Sequence, residues 1–582
     1  MESRPDDDKR WRPIDVALVA LAMMIALALM SHSGSRRGEE LMPWPDGLEY
    51  AATAVNLDRG AGPVLHFGGY SYPPRYTDGY PLILAAIYPI LGERVDRLYF
   101  ATIATGLAAI AILYALTLRF FGRASAFAAC AILAMSPLFT TYSTLVLSDI
   151  PAMAFASLTM LLFFAALRSV ERADDIRKLI AWWAGFGVTA GFAIIIRPTL
   201  AALFVGAVIA LLIVPINLSA IGARRVLFAV VALVAGIAIF PLWQIIENGR
   251  HLGHALANGY AFWVPEVYGE SGSTFGLQFL FGPTAPRNPY GNVAIYFLAT
   301  AGLDGILGSP GVRYFIVYPL AAAIFAAIGI AKAVRGSDNS ARRFIYFGLG
   351  FFAANLAIYL IYFFTEVAFI IPAMLVIVSA AGYGLVAANR RVMAAILRQK
   401  SHDYSWTVAG VVALDIVLAF SLAVQTGLRV SASPQPSETV AFLHSIDSRL
   451  GADSLIVSNG SLQFLELYVG GHGREFVGLN SLDPGGRFTD YHLHRLYEKR
   501  SAGWNGAAPR VLFERTRIDD ASATTIQSAM RSGRSAYFLM FRPETQDYAD
   551  TLKAESDDLQ ARFTMEPIEE SRTAVLFRLS PR

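Results

Sequence analysis

Charge is scarce in this chain of 582 residues: Asp, Glu, Lys and Arg together make 16%, against 55% hydrophobic residues. Soluble proteins carry about a quarter charged residues. That shortfall, with a mean hydropathy of +0.46, excludes an ordinary soluble enzyme and points to the membrane. Cysteine is nearly absent. The single copy, Cys130, lies in the apolar run 124–133, so the chain has no internal disulfide framework and no Cys-based metal site, and Cys130 is read as packing. The net charge of +3 is too small to argue for nucleic acid, and no nucleic-acid partner is expected. No nucleotide-binding domain appears, no inverted repeat of the transporter kind is visible, and His251, His254 and His472 lack metal-ligand spacing.

What is present is a series of apolar runs, each about as long as a bilayer is thick. After a charged lead over residues 1–12, Ile14–Met30 is the first. It is long for a signal-peptide core and offers no small-x-small cleavage site, so it reads as a retained helix. Further runs lie near 95–118, 124–146, 149–167, 179–196, 199–215, 226–247, 313–334, 344–364, 367–388 and 406–426. With the N-terminus inside, every basic cluster falls on the cytoplasmic side: Arg119 and Arg123; Arg168, Arg172, Arg177 and Lys178; Arg224 and Arg225; Lys332, Arg335, Arg342 and Arg343; Arg390, Arg391, Arg398 and Lys400. The expected fold is therefore mostly α, a polytopic membrane protein with about eleven transmembrane helices over 13–428. Large loops near 32–94 and 248–312 and the whole C-terminus lie outside.

A Ser/Pro linker, 429–436, precedes a segment of soluble composition, 437–582. Ser437–Leu450 has helical spacing. Ser454–Ser458, Glu475–Gly478, Arg510–Phe513, Ala536–Phe541 and Thr573–Leu579 read as short strands, with turns at Asn459-Gly460 and Asp483-Pro484-Gly485-Gly486. This predicts a small extracytoplasmic α/β domain without nucleotide fingerprint or catalytic triad, suited to support or acceptor recognition.

The chemistry-bearing residues lie in the expected external segments. In Trp44-Pro45-Asp46-Gly47-Leu48-Glu49-Tyr50, residues Asp46, Glu49, Tyr50 and Thr53 share one helical face. Asp46 with Glu49 makes a capping box. The same carboxylate, held at a loop-helix junction outside a membrane, also suits a catalytic base. In the Pro73-Pro74-Arg75-Tyr76-Thr77-Asp78 stretch, Arg75 and Asp78 fit either a solvated pair or a phosphate-binding cation with a second carboxylate. Asp149 caps a helix or is a buried functional acid, with almost no loop around it. Arg197, against the positive-inside bias, snorkels to headgroups or offers its fork to a lipid phosphate. Glu366 and Arg313 stand at similar span ends.

These features together resemble the GT-C superfamily of integral-membrane glycosyltransferases, in particular the bacterial branch similar to protein O-mannosyltransferases and to the lipid A aminoarabinose transferase. The resemblance rests on Asp46-Gly47-x-x-Tyr50-x-x-x-Ala54-x-Asn56-Leu57 with Gly60, on Pro73-Pro74…Tyr80-Pro81-Leu82, on Ser148-Asp149-x-Pro151 and on Arg197-Pro198. It implies transfer of a sugar from a polyprenyl-phosphate donor to an acceptor lipid, glycan or protein at the external face of a bacterial cytoplasmic membrane. By position, Asp46 matches the catalytic acid, Asp149 a second acidic position, and Arg75 and Arg197 the phosphate ligands. Tyr50, Asp78 and Glu366 join the substrate-binding set, and Glu49 the catalytic one. Gly47 departs from members with two adjacent acids, and no basic residue stands in Thr365-Glu366-Val367-Ala368. No metal ligand is assigned, and a divalent metal stays open. The reading from another class is a transporter or flippase for a lipid-linked glycan.

Overall fold

The structure is a computed structural model that describes residues 11–582 except 34, 44–45, 68–69, 173–174, 217–221, 253–254, 257–258, 261–273, 285–288, 302–319, 399–404, 431–435, 461, 471–472, 479–519, 543–552 and 554–555. Arg313, His254, His472, the strand expected at Arg510–Phe513 and the turn at Asp483–Gly486 fall outside the described residues. The chain divides into two compact units: residues 1–34, 100–244 and 272–434, and residues 35–99, 245–271 and 435–582.

The first unit is a helical bundle. Where they are described, the expected apolar runs lie mostly on helix, and six described helices are long and apolar enough to cross a membrane. A seventh span arises if Val367–Ala373 and Leu375–Ala394, bent by 67°, count as one. The run expected at 124–146 is broken. Arg123–Ala134 ends, Ser136 caps a new turn, and Pro137–Tyr142 starts on a proline, which occupies a first helical turn where its missing N–H costs nothing. Packing is close where glycines face backbone. A Cβ on Gly329 would stand 2.0 Å from the Ala380 carbonyl oxygen, and one on Gly384 1.9 Å from that of Phe325. These contacts join Leu320–Arg335 to Leu375–Arg398, as small residues do between membrane helices.

Helix ends in this unit meet in two sets. Asp15 takes a two-pronged bond from Arg123, at 2.7 and 3.0 Å, and one from the Tyr114 hydroxyl at 2.6 Å. Arg343 binds Glu171 and the carbonyls of Val214 and Pro215. Both groups unite ends that the sequence assigns to one side. Asp149 with Arg197, and Tyr142 with Glu366, unite ends assigned to the other.

The second unit joins the first long loop to the C-terminal segment, a grouping that sequence boundaries do not reveal. Among the described residues its sheet has five strands: β3 (Leu455–Ser458), β4 (Glu475–Gly478), β5 (Ala536–Phe541), β6 (Phe563–Glu570) and β7 (Ala574–Pro581). Their order is β4-β3-β5-β7-β6, with β3 parallel to β4 and β5 and the remaining pairs antiparallel. Leu455, Val457, Ile526, Phe538, Leu559 and Phe563 anchor its core. The first loop contributes the helix Asp46–Asp58, a hairpin of β1 (Leu65–Phe67) and β2 (Tyr70–Tyr72), and the helix Gly79–Ile87. Leu462–Val469 packs on Asp46–Asp58 and on β1. Around it, the Ser437 backbone N–H donates to Glu39 at 2.7 Å, the Ser437 hydroxyl donates to Glu40 at 2.6 Å, and the Tyr468 hydroxyl donates to the Glu39 carbonyl.

Candidate active site

The acidic stretch begins a helix whose first residue is Asp46. Gly47 is required there by space: a Cβ on it would stand 2.2 Å from the Leu41 carbonyl oxygen. No second acid can therefore follow Asp46 directly, which accounts for the departure from the paired-acid pattern. One turn on, Glu49 does not reach back as a capping box would. It faces inward, 2% exposed along its side chain, and accepts a hydrogen bond from Arg75 Nη2 at 2.5 Å. Arg75 is equally buried. It is a structural partner of Glu49, not the solvated residue that its Pro-flanked setting allows.

Asp46 is only partly buried, and its Oδ1 accepts the Tyr76 hydroxyl. Tyr76 stacks on Tyr50 at 4.6 Å between centroids, while Tyr80 and Tyr260 meet this pair edge-on at 5.0 and 5.4 Å. Burial first, and then the charge of Asp46, push the Tyr76 phenol well above its ordinary value. It therefore stays a donor to the carboxylate at any physiological pH. Burial also pushes Glu49 up to about 7, against the pull of Arg75 and with the help of Asp46. Tyr76, stacked on Tyr50, thus holds Asp46, and the Glu49–Arg75 pair lies one helical turn further on. Asp78 is 1% exposed and raised to about 7 by burial and by Glu247.

The other expected site residues form a second cluster, within the helical unit. Asp149 opens the helix Asp149–Glu171 and accepts from Arg197, which caps the C-terminal end of the next helix, Ile176–Ile196. The Arg197 guanidinium also lies over the Phe369 ring, 5.3 Å from its centroid, a cation–π contact. Glu366 accepts from the Tyr142 hydroxyl. Arg197 is thus not solitary, because Asp149 holds it in place. Tyr76 and Tyr142 are the residues that sequence reasoning missed. The Tyr-rich stretch around residue 76 was a signal, whereas nothing near Tyr142 pointed across more than two hundred residues to Glu366. Among the described residues, no group of three or more His, Cys, Asp and Glu side chains is disposed to hold a metal ion.

The class that this architecture defines is the GT-C fold. Residues 79–244, which include Asp149 and Arg197 but not Asp46, match a family model described as dolichyl-phosphate-mannose-protein mannosyltransferase. Over nearly its full length the chain is similar in structure to ArnT from Cupriavidus metallidurans bound to undecaprenyl phosphate, with a TM-score of 0.59, 13% identity and 97% of each chain covered. The apo form of that protein gives 0.57 and 14%. The Archaeoglobus fulgidus oligosaccharyltransferase gives 0.52 at 12%, covering 98% of this chain and 74% of that one. Comparison with curated protein sequences finds no match.

Proposed function

We propose that the protein is a glycosyltransferase that moves a sugar from a polyprenyl-phosphate-linked donor to an acceptor hydroxyl at the external face of the cytoplasmic membrane. The observation that carries this reading is the setting of Asp46. It is a partly exposed carboxylate, oriented by the Tyr76 hydroxyl, at the start of a helix seated on a buried ion pair. The likeness to the mannosyltransferase family model and to an ArnT structure bound to undecaprenyl phosphate supports a lipid-linked donor.

In this reaction Asp46 takes the proton of the acceptor hydroxyl as that oxygen attacks the anomeric carbon. The bond from the anomeric carbon to the phosphate oxygen breaks, and its electrons leave with polyprenyl phosphate. The transition state has oxocarbenium character, which the negative field of Asp46 stabilises. Arg197, held by Asp149, is the proposed cation for the lipid phosphate, and Glu366 is a substrate-binding residue set by Tyr142. Full-length protein incubated with polyprenyl-phosphate sugars and a membrane-extract acceptor should release polyprenyl phosphate. Movement of the lipid across vesicle membranes without such release would favour the transporter reading instead.

A further inference from the structure

Asp78 stands at the residue before the helix Gly79–Ile87, where aspartate ordinarily caps. It does not cap. Its backbone is helical (φ −81°, ψ −8°) and its side chain makes no capping bond. The carboxyl is instead turned into the protein, 1% exposed, and its Oδ2 has no hydrogen-bond partner among the described residues. The charged residue facing it, Glu247, is itself negative and is held at 2.8 Å by Arg250 and at 3.3 Å by His251. A buried acceptor left unmatched costs the fold its full desolvation. Among the described residues, Asp78 makes no capping bond and no ion pair in return.

Its neighbours along the chain indicate what matches it. Two residues before Asp78 is Tyr76, which orients Asp46, and two residues after is Tyr80, which meets the Tyr50 ring edge-on. Carboxyls are among the residue types that take sugar hydroxyls, since a carboxylate accepts on both oxygens, and Asp78 lies on the same short segment as the tyrosine that orients Asp46. The raised titration of Asp78, about 7, agrees, because near neutrality its carboxyl both donates and accepts.

We propose that Asp78 is a specificity-determining residue whose Oδ2 receives a hydroxyl of the sugar carried by the lipid-linked donor. The inference rests on the glycosyltransferase reading and adds the group that senses the sugar. Full-length protein in nanodiscs would be titrated, by tryptophan fluorescence, with bare undecaprenyl phosphate and with undecaprenyl phosphate carrying mannose, glucose, galactose or arabinose. Wild type should bind at least one sugar-bearing lipid more tightly than the bare one. Asp78→Leu should keep the bare-lipid affinity, lose about ten- to a hundredfold for the sugar-bearing lipid, as removal of a hydrogen bond to a charged group does, and melt no lower than wild type. Asp78→Asn, which keeps a neutral acceptor, should lose less. A sugar preference intact in Asp78→Leu overturns the proposal, and so does a lower melting temperature in both variants, which makes Asp78 structural. Wild type that binds none of these lipids overturns the glycosyltransferase reading itself.

Discussion

Arg75 Nη2 lies 2.5 Å from Glu49 Oε1, with both side chains 5% exposed or less. The pair links the Pro-rich stretch of the first loop to the helix that starts at Asp46, bridging residues 26 apart in sequence. It makes Glu49 a poor site for a neutral change, although a capping box would accept Gln. Removing one member of a buried ion pair costs roughly 3–5 kcal/mol, because the other charge is left unmatched. Glu49→Gln and Arg75→Met should therefore each lower the melting temperature clearly, and the double variant should lose less than the sum. Additive losses in thermal melts would contradict the coupling. Arg75→Lys keeps the charge but loses the guanidinium fork, and should fall between wild type and Arg75→Met.

The same reasoning applies to Asp149 and Arg197, whose side chains are 6% and 16% exposed. Arg197→Gln alone strands a carboxylate at a helix start within the bundle. Asp149→Asn with Arg197→Gln should be more stable than Arg197→Gln alone, while neither restores sugar transfer. A double variant less stable than both singles would show that the two residues do not act as a pair.

Asp78 gives a pH dependence with a definite sign. Its folded value of about 7 lies above the ordinary 3.8, so the folded chain binds the proton more tightly than the unfolded one. Its contribution to stability is complete below pH ~3.8 and is lost as pH rises through about 7. The melting temperature of wild type minus that of Asp78→Asn should fall across this window and level off above it. A difference that rises with pH would mean that Asp78 is held ionised.

Orientation is tested by labelling. Ser337→Cys and Ser448→Cys place thiols at exposed positions, and the native Cys130 is buried and does not compete. A membrane-impermeant reagent applied to cells should label Ser448→Cys and spare Ser337→Cys. The reverse result would place the C-terminal segment and the Asp46 helix in the cytoplasm.

Much of the fold was legible because apolar period and basic flanks are local signals. Glu475–Gly478 and Ala536–Phe541 are strands at the residues the pattern marked, and Ser437 caps the helix that the spacing placed after it. The edge strand Phe563–Glu570 was not legible, since it is largely exposed and carries Pro567 with three glutamates where a central strand would alternate. Within the site, sequence pointed to Asp46, Glu49, Arg75, Asp149 and Arg197 as individuals. It could not show that they are joined in pairs, because ion pairs 26 and 48 residues apart leave no periodic trace. It also read Gly47 as a departure, when the cause is the Leu41 carbonyl lying against it.

The central claim is that Asp46 removes the acceptor's proton. Asn supports a helix start about as well as Asp and still accepts the Tyr76 hydroxyl, so Asp46→Asn should fold and insert as wild type does. The direct measurement is acceptor-dependent release of polyprenyl phosphate from a polyprenyl-phosphate sugar, wild type against Asp46→Asn, at equal amounts of folded protein. A loss on the order of a hundred- to ten-thousandfold is expected when a general base is removed. An Asp46→Asn enzyme with the wild-type rate would contradict the account and leave the stretch around Asp46 as no more than the start of a helix.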